Sequence, residues 1–180
     1  SVVTPHNTHA PIVIACLNAG KHVVVDKPMC IRIAEATEMI ETAKKAKRTL
    51  AVFHNRRHDG NVRAIKEVIE RGLIGDVFHI ELSACGYGRP GDWWRSWKEI
   101  SGGALYDWGS HAIDWVLSLV PSRMVQVTGF FHKRVWHDVS NEDQVRAIIL
   151  FENGAVADIT QSSIAYIGKP LWRILGTKGA

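Results

Sequence analysis

The apolar residues of the chain change their period twice. Residues 1–4 read as the end of a buried strand, stopped by Pro5. Residues 9–19 carry Ile12, Ile14, Ala15 and Leu17 ahead of Gly20, the residue type that ends helices in a left-handed turn. His22-Val23-Val24-Val25 lacks polar alternation, so it predicts a parallel strand covered on both faces. Residues 31–47 predict a second helix with Ala34, Met39, Ile40 and Ala43 inward. Its last turn is cationic (Lys44, Lys45, Lys47, Arg48), which suits the carbonyl end of a helix. Residues 50–53 form another short apolar run. Strands alternating with helices describe βαβ units around a parallel sheet.

Beyond Asn55 the pattern is different. Residues 61–71 predict a helix closed by Gly72, and 76–84 alternate as a strand. Residues 86–101 are rich in Gly and Trp and follow no period. Residues 103–120 are helical up to Pro121, and strand-like stretches follow at about 124–132, 143–151, 154–161 and 171–175. Glu152-Asn153-Gly154-Ala155 predicts a hairpin with a type I′ turn, because Asn-Gly tolerates positive φ. Strands without intervening helices imply a largely antiparallel sheet. The expected fold class is therefore α/β plus α+β: part of a Rossmann-type parallel sheet at 1–57, then an α+β domain with a largely antiparallel open sheet at 58–180.

Composition narrows the classes. The 180 residues include 46% hydrophobic and 22% charged residues, proportions of a globular chain rather than a disordered one. No run of 18 apolar residues occurs, so no transmembrane helix and no membrane partner are expected. The charge of +4 is spread along the chain, and the single basic cluster His54-Asn55-Arg56-Arg57-His58 is too short to argue for nucleic acid. Cys16, Cys30 and Cys85 make an odd count without CxxC spacing, which favours a reducing cytoplasm.

Three segments carry candidate chemistry. In Asp26-Lys27-Pro28 an acid and a lysine sit at the carboxyl end of a buried strand, the edge where open α/β sheets bind ligands. A surface ion pair before a helix is the competing reading. Gly102-Gly103-Ala104-Leu105-Tyr106-Asp107-Trp108-Gly109-Ser110-His111 places Asp107 and His111 four apart on one helical face, where the carboxylate could orient the imidazole as a base. An ordinary ion pair or a packed histidine would fit the same spacing. Trp93, Trp94, Trp97, Trp108 and Trp115, five of the seven tryptophans, surround this region. Beside Arg95 they could wall a ring-binding pocket, or simply pack as an aromatic lid. His6, His9, Asp107 and His111 also permit a metal hydrolase, but no convincing third ligand completes either pair, so no metal is expected.

Read together, these motifs resemble the glucose–fructose oxidoreductase and inositol dehydrogenase family (Gfo/Idh/MocA). The resemblance runs in order through Thr4-Pro5-His6-Asn7-Thr8-His9, Ala19-Gly20-Lys21-His22-Val23, Asp26-Lys27-Pro28, Asn55-Arg56-Arg57 and Trp94-Arg95. It ends with Gly102-Gly103, Asp107, Gly109, His111 and Asp114. The resemblance implies a Rossmann domain joined to an α/β domain whose open sheet often forms the oligomer interface. It also implies NAD or NADP as cofactor and a sugar, polyol or related carbinol as substrate.

By the same resemblance Lys27, Asp107 and His111 are the catalytic residues, with Asp107 orienting His111. Thr4, Pro5, Asn7, Asp26, Lys27, Pro28, Asn55 and Arg56 fall on the cofactor side, and Trp94, Arg95, Asp107 and His111 on the substrate side. Asp26 stands where the family more often has Glu, one methylene longer. The family's G-x-G-x-x-G after a first strand is absent, as is the acidic or cationic residue that would read the ribose. The chain is therefore expected to be an internal fragment, truncated in its second domain and binding dinucleotide poorly alone. A non-catalytic oligomerisation module built on the sheet of residues 124–175 is the rival from another class.

Overall fold

The computed structural model describes residues 1–180. The N-terminal part starts with Val2, which bridges Val25 in parallel. After a 3-10 turn at His6–Thr8 come α1 (His9–Asn18), β1 (Val23–Asp26), α2 (Ile33–Ala46) and β2 (Leu50–Phe53), with β1 and β2 parallel. Their apolar side chains meet in one core of Val2, Ala10, Val13, Leu17, Val23, Val25, Met39 and Ala43. Two inward assignments differ from expectation. Ile40 is 43% exposed and Ala34 is exposed, while Met39 and Ala43, four apart, take the buried face of α2. Val24 is also exposed, so β1 alternates instead of being covered on both faces. Both helices pack on the side of Val23 and Val25.

A 3-10 turn at Asn55–His58 leads to α3 (Gly60–Glu70) and β3 (Val77–Cys85). The tryptophan-rich segment holds a 3-10 turn at Trp94–Ser96 and a single helical turn, α4 (Lys98–Ser101). Then come α5 (Ala104–Leu119), β4 (Met124–His132), β5 (Gln144–Phe151), β6 (Val156–Ser162) and β7 (Trp172–Gly176). The five strands form one sheet in the order β4-β5-β6-β3-β7. It is antiparallel except where β3 lies parallel to β6, a pairing that needs a long crossover.

Alternation along these strands sends Ile80, Leu82, Ala147, Ile149, Phe151, Ala157 and Ile159 to one face. There they meet Trp115, Val116 and Leu119 of α5 and Val62 of α3. The opposite face, with Ile148, Leu150, Arg146 and Asp158, has no helix over it. The β5–β6 hairpin lies where Asn153-Gly154 predicts it, but not as type I′. Gly154 has φ 83° while Asn153 is not in the left-handed region, and Gly154 N–H donates to Phe151 O at 2.9 Å. This is a type I turn followed by a glycine bulge, which needs only one positive φ.

Phe151 is 1% exposed at the centre of the second core. Phe151→Ala is expected to cost about 3–5 kcal/mol in urea unfolding. A loss below about 1 kcal/mol would contradict the packing described.

Candidate active site at the junction of two cores

The carboxyl end of β1 faces the start of α5, and the closest side chains there are charged. Lys27 Nζ donates to Asp107 Oδ1 at 2.7 Å and to the Asp107 backbone carbonyl at 3.0 Å. The Arg95 guanidinium reaches the same Oδ1 at 2.7 Å. One carboxylate thus joins a sheet edge, a helix and the tryptophan-rich loop. Asp107 is positioned by an unusual helix start. Gly102 and Gly103 have φ of 92° and 121°, and a Cβ on Gly102 would sit 2.8 Å from the Ile31 side chain. The Glu142 carboxylate accepts the Ala104 N–H at 3.0 Å and caps α5.

His111 lies one turn further along α5 and is 5% exposed. Its ring stacks on Trp115 at 6.1 Å and meets the edge of Trp108 at 5.9 Å and His54 at 6.4 Å. Asp107 shares its face of the helix but makes no hydrogen bond to it, and both of its cation contacts fall on Oδ1. The expected orientation of His111 by Asp107 is therefore replaced by aromatic packing. Burial, then the positive charges of Lys27 and Arg56, lower the His111 pKa to about 4, so the ring is neutral near pH 7. Asp107 is held ionised: burial pushes its pKa up, but the Lys27 bond and charge and the Arg95 charge outweigh that.

The other sequence-predicted residues surround this centre. Arg56 lies 4.6 Å over the Trp108 ring, and Trp115 Nε1 donates to Arg56 O at 2.9 Å. The Arg95 guanidinium stacks on Trp94 at 4.4 Å. Thr4, Pro5, Asp26 and Pro28 form the adjoining strand-end turns. The Asp26 carboxylate accepts Lys27 N–H at 2.9 Å, and the Lys27-Pro28 bond is cis. Asn7 and Asn55 are exposed on the rim. Asp114, which the resemblance includes, holds Arg57 through both carboxylate oxygens at 2.5 and 2.8 Å.

Two residues were not singled out for this role. His6 is 2% exposed, bonded through Nδ1 to Ser101 O at 2.8 Å and edge-on to Trp94 at 4.7 Å. Burial lowers its pKa to about 4. His54 follows β2 at the same sheet edge, and its buried Nδ1 has no hydrogen-bond partner, 3.8 Å from Asp114. The signal for His54 was positional: it is the first residue after a parallel strand. The histidines do not assemble as metal ligands. Both ring nitrogens of His9 face carbonyl oxygens, of Pro28 and Thr4, each at 2.9 Å.

Lys27 and His54 directly follow β1 and β2, Arg56 lies two residues beyond His54, and the His54 Nδ1 faces the Asp114 carboxylate. The chain does contain the string Gly86-Tyr87-Gly88-Arg89-Pro90-Gly91, but it follows β3 and opens no helix. It therefore offers no helix N-terminus to a pyrophosphate.

Residues 1–54 match the oxidoreductase family with an NAD-binding Rossmann fold, and residues 62–180 match the GFO/IDH/MocA C-terminal domain. Myo-inositol 2-dehydrogenase of Thermotoga maritima is 30% identical over 182 aligned positions, covering 99% of this chain and 54% of that protein. The crystal structure of an NAD-binding protein from Listeria innocua superposes with TM-score 0.90 at 35% identity, over 98% of this chain and 50% of that one. The WlbA dehydrogenase of Bordetella pertussis, in complex with NADH and UDP-GlcNAcA, superposes with TM-score 0.83 at 26% identity, over 97% and 56%. The chain thus spans about half the length of these proteins.

The depressed pKa values fix the sign of a pH effect. For His6 and His111 the unfolded chain takes up protons below 6.5 while the folded chain does not until about 4. Stability should therefore fall as pH drops through that window, and the Asp107 contribution is lost at still lower pH. Urea midpoints between pH 7 and 4 should decline, and the decline should flatten in His6→Gln and His111→Gln. A pH-independent midpoint would contradict the assignment.

Proposed function

The chain belongs to the GFO/IDH/MocA oxidoreductase family, and on that premise we propose that its junction is the substrate side of an NAD(P)-dependent dehydrogenase site. The substrate class is a carbinol of a sugar, polyol or related compound. The observation that carries this reading is the Lys27 ammonium bound to Asp107, with the neutral His111 imidazole one helical turn further along α5 and close enough for the Lys27 charge to lower its pKa.

NAD or NADP, when bound, supplies the two-electron redox chemistry at the carbinol carbon. The rest falls to the chain. Lys27 Nζ, held against Asp107, presents its remaining N–H to the substrate oxygen and lowers the energy of developing alkoxide charge. His111, uncharged near neutral pH, takes the hydroxyl proton on a ring nitrogen. A base this weak accepts a proton readily only from a hydroxyl already acidified, and the nearby ammonium provides that. Arg95 shares the Asp107 charge, so Asp107 acts as a positioning residue for both cations. Trp108 and Trp115 hold the His111 ring and keep water from its faces.

The two cores support a division into a cofactor unit at 1–57 and a substrate and oligomerisation unit at 58–180. The helix-free outer face of the five-stranded sheet supports contact with a second copy, through Ile148, Leu150 and Val156 between the Arg146–Asp158 and Arg173–Glu81 pairs. Three unpaired cysteines support a cytoplasmic setting, and no helix is long and apolar enough to cross a membrane.

In the complete protein carrying these residues, Lys27→Met and His111→Ala should each lower NAD(P)-linked polyol turnover by about 10²-fold or more. Unchanged turnover in both removes the assignment. Ile148→Asp should shift light scattering towards monomer, and an unaltered oligomer would remove the outer face as interface.

A further inference from the structure

Lys27 and Arg95 each have Asp107 as their only ion-pair partner, so one carboxylate answers two positive charges. On the Arg95 side, Nη1 is used: it donates to Asp107 Oδ1 at 2.7 Å and lies 3.5 Å from His6 Nε2. Nε and Nη2 bond nothing in the chain, and neither nitrogen is sealed from solvent. The guanidinium is nonetheless held in place. It stacks 4.4 Å over the Trp94 ring and 5.2 Å over the Trp93 ring, and Asn141 Nδ2 donates to the Arg95 carbonyl at 2.5 Å.

Arg95 and Trp93 line a hollow of 290 Å³, the small end of ligand sites, which Asp107, Glu142 and Asp143 also line. The last two acids are engaged. Lys98 and the Ala104 N–H take Glu142, while Lys133 and the N–H groups of Arg134 and Val135 take Asp143. These pairings leave one positive charge over, shared by Lys27 and Arg95. The Nε and Nη2 hydrogens of a guanidinium point the same way and match the two oxygens of a carboxylate. We propose that Arg95 is a specificity-determining residue that grips a carboxylate of the substrate, which is then a hydroxy acid of single-ring size. A phosphate dianion would bring a second charge that nothing in the hollow balances. Lys27 does not line the hollow, but its Nζ and Arg95 Nη1 each sit 2.7 Å from the same Asp107 oxygen. A hydroxyl on the first and a carboxylate on the second can therefore belong to one small molecule. The inference deepens the dehydrogenase reading and rests on it for the carbinol.

The test compares ligands that differ in charge at one position. In the complete protein, tryptophan fluorescence is titrated with D-glucuronate and D-galacturonate, with D-glucose and D-galactose as neutral counterparts, and with glucose 6-phosphate. The two acids should bind about tenfold or more tightly than their neutral counterparts, the scale of a hydrogen bond to a charged group. High salt should shrink that preference in the wild type, a readout that needs no variant. Arg95→Gln should abolish the preference. Arg95→Lys, which keeps the charge and loses the fork, should retain part of it. Melting temperatures of both variants check that the fold is kept.

Equal binding of acids and neutral sugars, tightest binding of glucose 6-phosphate, or no binding at all would overturn the proposal. A preference for acids that survives Arg95→Gln, or one that ignores salt, would overturn it too. Acid binding that depends on Arg95 without NAD(P)-linked turnover would remove the dehydrogenase reading alone. NAD(P)-linked turnover with kcat/KM no higher for the acids than for the neutral sugars would remove only the carboxylate preference.

Discussion

The fold and its chemistry depend on one carboxylate shared between two cations. Asp107 would be costly to bury alone, and Lys27 and Arg95, each 2.7 Å away, compensate that cost with charge-assisted bonds. These bonds join residues 80 and 12 positions apart, so they also set how the parallel βαβ part meets the mixed sheet. Asp107 fixes the Lys27 ammonium through both its carboxylate and its backbone carbonyl. Burial, and after it the same positive charge, keeps His111 unprotonated. Electrostatics, rather than a direct hydrogen bond between Asp107 and His111, links the three groups.

Around this centre the neighbouring contacts are local and satisfied. His6 bonds Ser101 O, Trp115 Nε1 bonds Arg56 O, and Arg57 grips Asp114, each crossing the same junction. The junction is therefore polar and specific, while the two apolar cores on either side supply the burial. Three buried side-chain atoms have no hydrogen-bond partner: the His54 Nδ1, the Gln161 Oε1 and, against the second core, the Trp172 Nε1.

Much of this was legible in the amino-acid order. Period and punctuation located α1, α2, α3, α5 and the strands to within a few residues, because Gly20, Gly72 and Pro121 interrupt strong apolar patterns. What pattern did not settle was which face each element buries. Val24, Ala34 and Ile40 are apolar yet exposed, since packing of the two helices on one side of β1 decides burial and single-chain periodicity does not encode it. The parallel β3–β6 pairing was hidden for the same reason: it joins segments about 75 residues apart. At the site, Lys27, Asp107 and His111 were legible from strand-end position and helical spacing. Their partnership was not. The i,i+4 relation suggested that Asp107 faces His111, whereas cations from two distant segments claim the carboxylate. His54 carried no local signal beyond its place directly after β2.

The most direct measurement is an NMR titration of the His111 ring in the wild-type chain and in Lys27→Met. The account predicts a wild-type pKa of about 4 that moves upward once the neighbouring ammonium is gone. An ordinary imidazole value in the wild type would contradict the burial of the ring, and no movement in Lys27→Met would mean that the ammonium does not act on it.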